Sequence, residues 1–196
     1  MNYLAHLYLS FEYEEIMVGN FIADAVKGRQ IHNFSPKIQK GIRLHRKIDE
    51  FTDLHPVVER SKARVRINYK KWTGVVIDMF YDHYLAANWH LFSPEKLQDF
   101  TRKSYQTLFR YYFIMPGRMK RILPAMAAGN WLASYEKIEN VGLALMGMSH
   151  RTKFHTGFEN GVIDLKNHYN ELHQDFMVFF PELISFSKNC LREINH

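Results

Sequence analysis

Apolar residues recur at three- and four-residue spacing along almost the whole chain, and glycine and proline are sparse, so the pattern predicts helices throughout. The first covers about residues 2–10, and the next runs from Glu14 to Lys27, where Gly28 stops it. Ser35 and Pro36 form an N-cap and first-turn pair for a long helix to Leu54, ending before Pro56. A further helix starts near Pro56 and carries Glu59 to Asn68, and another spans Trp72 to Leu91. Ser93-Pro94-Glu95 caps a helix to about Met115. Shorter helices follow around 118–128, 130–136 and 138–149, then a long one over 158–192 with a break at Pro181. Strand–helix alternation and a Gly-rich phosphate loop are both absent, which excludes a Rossmann-type sheet. The expected architecture is an all-α helical bundle, one domain over residues 1–196.

Two of these helices carry charge where the pattern calls for carbon. Ile38, Ile42, His45, Asp49 and Thr52 fall on one stripe at helical spacing, so His45 and Asp49 interrupt an inward face. The segment Asp78-Met79-Phe80-Tyr81-Asp82-His83-Tyr84-Leu85 repeats the oddity, with Asp82 and His83 on a stripe shared by Val75, Val76, Met79 and Ala86. An unpaired buried carboxylate is costly and needs a cation, a metal or dense hydrogen bonding. Two helices that each aim Asp and His inward point to a metal between them.

Other segments extend the donor set. His6 sits in Asn2-Tyr3-Leu4-Ala5-His6-Leu7, where it reads either as a ligand or as a satisfied core histidine. Asp24 ends Gly19-Asn20-Phe21-Ile22-Ala23-Asp24, on a stripe with Met17 and Phe21; its other reading is a contact with Lys27 or Arg29. The metal set expected from these positions is Asp24, His45, Asp49, Asp82 and His6. Imidazole nitrogens mixed with several carboxylates suit manganese, iron or zinc, and the oxygen-rich balance favours manganese or magnesium over a structural zinc. Asp78, one turn before Asp82, reads as a residue that holds a histidine in place or as a surface group. His83 and His6 are the proton donors expected if they do not ligate. Arg46 adjoins His45 and is placed to fork onto a phosphate, with Arg151 a weaker choice for the same work.

Composition narrows the setting. The formal charge of +6 points to an acidic partner or substrate without choosing between protein and nucleic acid. Trp72, Trp89 and Trp131 read as core and not as the stacking platform a single-strand binder needs, and the inward Asp and His pairs have no purpose in a nucleic-acid module, which therefore ranks last. A lone cysteine, Cys190, excludes a disulfide framework, and no apolar run approaches membrane-spanning length. A cytoplasmic protein is expected.

With these residues assembled, the chain resembles the acyl carrier protein phosphodiesterase family, itself similar to a divergent branch of the HD metal-dependent phosphohydrolases. The matching stretches are Asn2 through Leu7, Gly19 through Asp24, Gly41-Ile42-Arg43-Leu44-His45-Arg46-Lys47-Ile48-Asp49 with Thr52-Asp53, and Asp78 through Leu85. The resemblance implies removal of the phosphopantetheine arm from holo-acyl carrier protein, with manganese as the preferred ion. HD enzymes typically carry His before Asp, whereas this chain has Asp82 before His83. An acidic carrier protein would be steered by Arg60, Lys62, Arg64, Lys70 and Lys71. The alternative is an HD-type nucleotide phosphohydrolase using the same cage on a small phosphate ester.

Overall fold

In a computed structural model, which describes residues 1–150, 152 and 154–193, helix follows helix and no strand occurs among the described residues. The α-helices are α1 (Tyr3–Tyr8), α2 (Glu14–Ile22), α3 (Pro36–Leu54), α4 (Pro56–Tyr69), α5 (Thr73–Ala87) and α6 (Leu97–Arg110). They continue as α7 (Gly117–Ala128), α8 (Trp131–Ser134), α9 (Ile138–Ser149), α10 (Gly161–Asn167) and α11 (Tyr169–Glu193). Ser35 starts α3 as its sequence promised, its hydroxyl accepting the Ile38 N–H at 3.3 Å ahead of Pro36.

The buried apolar side chains form one connected core from Met1 to Leu191. Its centre is aromatic: Tyr81 and Tyr84 from α5 meet Phe176 and Phe179 from α11, with Tyr81 and Phe176 edge-on at 5.5 Å and Phe180 stacked on Phe176. Around it α2 lies along α3, α11 packs on α3 and α4, and α5 touches α1, α4 and α9.

The α2–α3 contact is set by two glycines. A Cβ on Gly19 would lie 2.1 Å from the Ile38 carbonyl oxygen, and one on Gly41 would lie 2.2 Å from that of Ile16. Nothing larger than hydrogen fits, so the two backbones touch and side chains flanking the contact are brought into register.

Several predicted boundaries shift. The helix expected to Lys27 stops at Ile22, and short 3-10 turns over Ala23–Ala25 and Gly28–Asn33 replace its end. Helix α6 starts at Leu97, because Ser93 spends its hydroxyl on the Glu95 N–H in a local turn. The break expected at Pro181 falls instead at His168, and α11 runs through the proline. Burial of α11 against four other helices offsets the lost N–H there. Trp89 is buried in the core, while Trp72 and Trp131 are half-buried and pack against it.

The expected steering face is largely consumed inside the fold. Buried Asp175 of α11 accepts from Arg60 Nε at 2.8 Å, Arg64 Nη1 at 2.7 Å and Ser61 Oγ at 2.8 Å. Lys62 pairs with Asp53 at 2.8 Å. These cations pin α4 to its neighbours, which leaves Lys70 and Lys71 of that group; Lys71 lies over the Trp72 ring at 5.2 Å.

Candidate metal centre

The Gly19–Gly41 contact decides which side chains meet. One residue beyond Gly19, Asn20 is fully buried and its Oδ1 faces His45 Nδ1 at 3.2 Å. The Asn20 amide nitrogen donates to the His6 carbonyl at 2.7 Å and to Ser10 Oγ at 3.2 Å, which leaves Oδ1 as acceptor for a proton on His45 Nδ1. The other His45 nitrogen, Nε2, is thereby directed at two carboxylates: Asp49 Oδ2 at 3.1 Å and Asp24 Oδ1 at 3.3 Å. Asp24 reaches it from the 3-10 turn that ends α2, and Asp49 from the next turn of α3.

Helix α1 supplies the second imidazole. His6 stacks on His45 with ring centroids 3.9 Å apart and planes 17° from parallel. Its Nε2 meets Asp49 Oδ1 and the Met1 carbonyl, each at 3.1 Å, while its buried Nδ1 has no hydrogen-bond partner among the described residues. One nitrogen or oxygen from each of His6, His45 and Asp49 lies within 4.8 Å of the others. The imidazoles are buried, but the Asp24 and Asp49 side chains are 57% and 40% exposed, so the cluster opens to solvent on its carboxylate side.

Protonation follows from these contacts. Burial and the nearby His45 charge push His6 down to about 4, so it is neutral at ordinary pH. Burial also opposes a charge on His45, yet Asp24 and Asp49 together outweigh it and raise this imidazole to about 9. Burial likewise pushes Asp49 up, but hydrogen bonds from both imidazoles prevail and hold it well below the usual carboxylate range. Asp24 is lowered by its hydrogen bond with His45. The proton on His45 Nε2 thus occupies the place between carboxylates that a cation would take, while Nδ1–H donation to Asn20 fixes the tautomer a metal ligand requires. The donors fit a divalent ion.

The remaining predicted residues are distributed differently. Asp82 is fully buried, and its Oδ2 and Oδ1 accept the Leu4 and Ala5 N–H groups at 2.8 and 3.1 Å. It caps the start of α1 from α5, so both oxygens are engaged away from the His6–His45–Asp49 group. Its neighbour His83 points elsewhere: Nδ1 meets the Tyr135 carbonyl at 2.8 Å and Nε2 the Tyr169 hydroxyl at 3.2 Å. Adjacent helical residues lie about 100° apart, and here that angle separates the two side chains instead of joining them at one ion. Asp78 borders the cluster through the Met1 ammonium, 3.1 Å from Asp78 and 3.4 Å from Asp49. Exposed Arg46 donates to the Val26 carbonyl at 3.1 Å, beside Asp24. Arg151 lies outside the described residues.

Asn20 lies in the stretch Gly19 through Asp24, and the sequence alone marks no role for it. The available signal was an amide between apolar Val18 and Phe21, one position after a glycine.

Two imidazoles and two carboxylates from α1, α3 and the turn after α2 thus converge on one solvent-open point of a helical protein, a donor set able to hold a cation. The family model for acyl carrier protein phosphodiesterase matches residues 1–183, and the chain belongs to that family. Among its relatives, the acyl carrier protein phosphodiesterase of Yersinia enterocolitica is 29% identical over 94% of this chain and 96% of its own length. That of Serratia proteamaculans is 28% identical over 96% and 98%, and that of an Escherichia coli strain 30% over 94% and 96%. No solved structure matches the chain.

Proposed function

We propose that this protein hydrolyses the phosphodiester joining phosphopantetheine to a serine of holo-acyl carrier protein, releasing the apo carrier. The observation that supports this most is the His6–His45–Asp49 group, with Asp24 at its open side, in a chain of this family. These residues would hold a divalent ion, with manganese the first choice for a mixed nitrogen and oxygen set and magnesium or iron the substitutes. When bound, the ion supplies charge neutralisation for phosphoryl oxygens and a water acidified enough to attack at neutral pH.

The chain's own residues do the rest in this reading. Asn20 and Asp49 orient the imidazoles, so the donors need no rearrangement. Arg46, next to Asp24, is within reach of a phosphoryl oxygen once it releases the Val26 carbonyl. Serine alkoxide is a poor leaving group and needs a proton. His83 is tied to Tyr135 and Tyr169, so we assign that role to Asp78, whose carboxyl burial raises, beside the cluster. Exposed Lys27, Arg29, Arg43 and Arg46 lie on the segments flanking Asp24 and His45, and would meet the acidic carrier. The whole chain acts as one domain in this reading, in the cytoplasm; no described helix is long and apolar enough to cross a membrane.

The test is to incubate holo-acyl carrier protein with the protein and manganese, then weigh the intact carrier. The expected result is loss of the phosphopantetheine mass, prevented by EDTA and by Asp49→Asn. An unchanged carrier alongside turnover of small nucleotides would overturn the proposal in favour of the nucleotide phosphohydrolase.

A further inference from the structure

A cleft of about 820 Å³ is lined by residues that adjoin the Met1–Asp78 edge of the cluster in sequence. Asn2 and Tyr3 line it, next in sequence to Met1, and so does Met79, next to Asp78. Its body is apolar, built from Trp72, Val75, Met79, Ile122, Leu143 and Met148. Other cavities along α6 and at the start of α2 share no residue with this wall. Leu143 and Val75 are 65% and 37% exposed, apolar surface left beside a cavity instead of being packed. Asn140 and Tyr135 add hydrogen-bonding groups.

Trp72 carries a second, independent observation. Its indole Nε1–H is shielded from solvent and has no acceptor among the described residues. Buried donors are rarely left unpaired, because desolvation without a partner is costly, and an orphan on the wall of a cleft calls for an acceptor that arrives with a ligand.

We propose that this cleft receives the pantetheine arm of the substrate and that Trp72 donates to one of its amide carbonyls; this rests on the hydrolase reading above. A phosphate held at the cluster must send its uncharged, amide-bearing tail somewhere, and the cleft beside Asn2 and Met79 has the matching chemistry. Mostly apolar walls suit the dimethyl and methylene portions, while isolated polar groups suit the amides. The carrier protein itself stays on the opposite, carboxylate-exposed side. Trp72 is a positioning residue in this scheme, remote from the reacting phosphorus.

Gly147 offers a direct way to block the cleft. It lines the cavity, and a Cβ built there meets nothing within 4 Å, so a large side chain enters open space. Gly147→Trp is expected to raise KM for holo-acyl carrier protein at least tenfold with kcat within about twofold, and to leave inhibition by apo carrier unchanged. Trp72→Phe keeps the ring but removes the donor, with a KM increase of about fivefold, the equivalent of one hydrogen bond. Free pantetheine, with no carrier and no metal, is expected to shift the Trp72 indole N–H resonance, a signal that Trp72→Phe identifies by its loss. An unchanged KM in folded Gly147→Trp, or apo-carrier inhibition weakened in parallel with KM, overturns the proposal. Should the wild type fail to process any carrier, the hydrolase reading falls by itself; the pantetheine titration still decides the cleft, and a Trp72 resonance that does not move counts against it.

Discussion

His6 and His45 lie face to face, and each aims Nε2 at a different oxygen of the same Asp49 carboxylate. Two imidazoles stacked at 3.9 Å divide the proton unequally: burial, aided by the His45 charge, pushes His6 down to about 4, while Asp24 and Asp49 outweigh burial at His45 and raise it to about 9. Asp49 is the hinge of the arrangement. Asp49→Asn should lower manganese affinity by on the order of 100-fold or more and abolish carrier hydrolysis. Isothermal titration with manganese measures the first effect and intact-carrier mass the second. Wild-type affinity in the variant would remove Asp49 from the ligand set.

In the proposed metal centre an ion would compete with a proton for His45 Nε2. Its folded value of about 9 lies above the ordinary 6.5, so the metal-free protein gains stability below about 6.5 and loses it as pH rises through about 9. Metal binding requires the opposite state. Apparent manganese affinity should therefore climb roughly tenfold per pH unit from about pH 7 towards about 9, with close to one proton released per ion at neutral pH. Titrations in buffers of different ionisation enthalpy count that proton. A flat profile would show that His45 does not bind the ion.

The α2–α3 contact should tolerate no methyl group. Gly19→Ala places its Cβ against the Ile38 carbonyl and should cost about 3 kcal/mol or more by urea unfolding. Manganese affinity should fall with it, because Asn20 and Asp24 move away from His45. Gly74→Ala is the control: its nearest neighbour is a flexible lysine carbon at 3.9 Å, and better helix propensity should make it neutral or slightly stabilising.

Asp82 supports the site without entering it. Asp82→Ala leaves the Leu4 and Ala5 N–H groups without acceptors and should cost about 2–4 kcal/mol. Burial raises this carboxyl to about 7 from 3.8, so its contribution is full below about pH 4 and declines as pH rises through about 7. Asp82→Asn should flatten that part of the stability profile while preserving metal binding. Thermal melts across the range check the first claim; loss of manganese in Asp82→Asn would return the residue to the ligand set.

The helices were legible because their apolar spacing is regular and caps such as Ser35-Pro36 are explicit. So were His45 and Asp49, since a stripe interrupted by charge is visible on one helix. Asp82 and His83 misled for a physical reason. A stripe shows that a side chain is inward, not what it meets, and α1 brought backbone N–H groups to Asp82 while Tyr135 and Tyr169 claimed His83. Pro181 misled in the other direction, as packing overrode a local helix breaker. The role of Asn20 was hidden because it depends on the Gly19–Gly41 contact, which no single segment encodes.

Leu4 and Asp82 meet across 78 positions of sequence. The early segments hold His6, Asp24, His45 and Asp49, but the N–H groups of Leu4 and Ala5 at the start of α1 find their side-chain acceptor only in α5. The place of His6 in the cluster therefore depends on a carboxylate that lies beyond both α3 and α4 in the chain, so the group is assembled by long-range docking and not by any one segment.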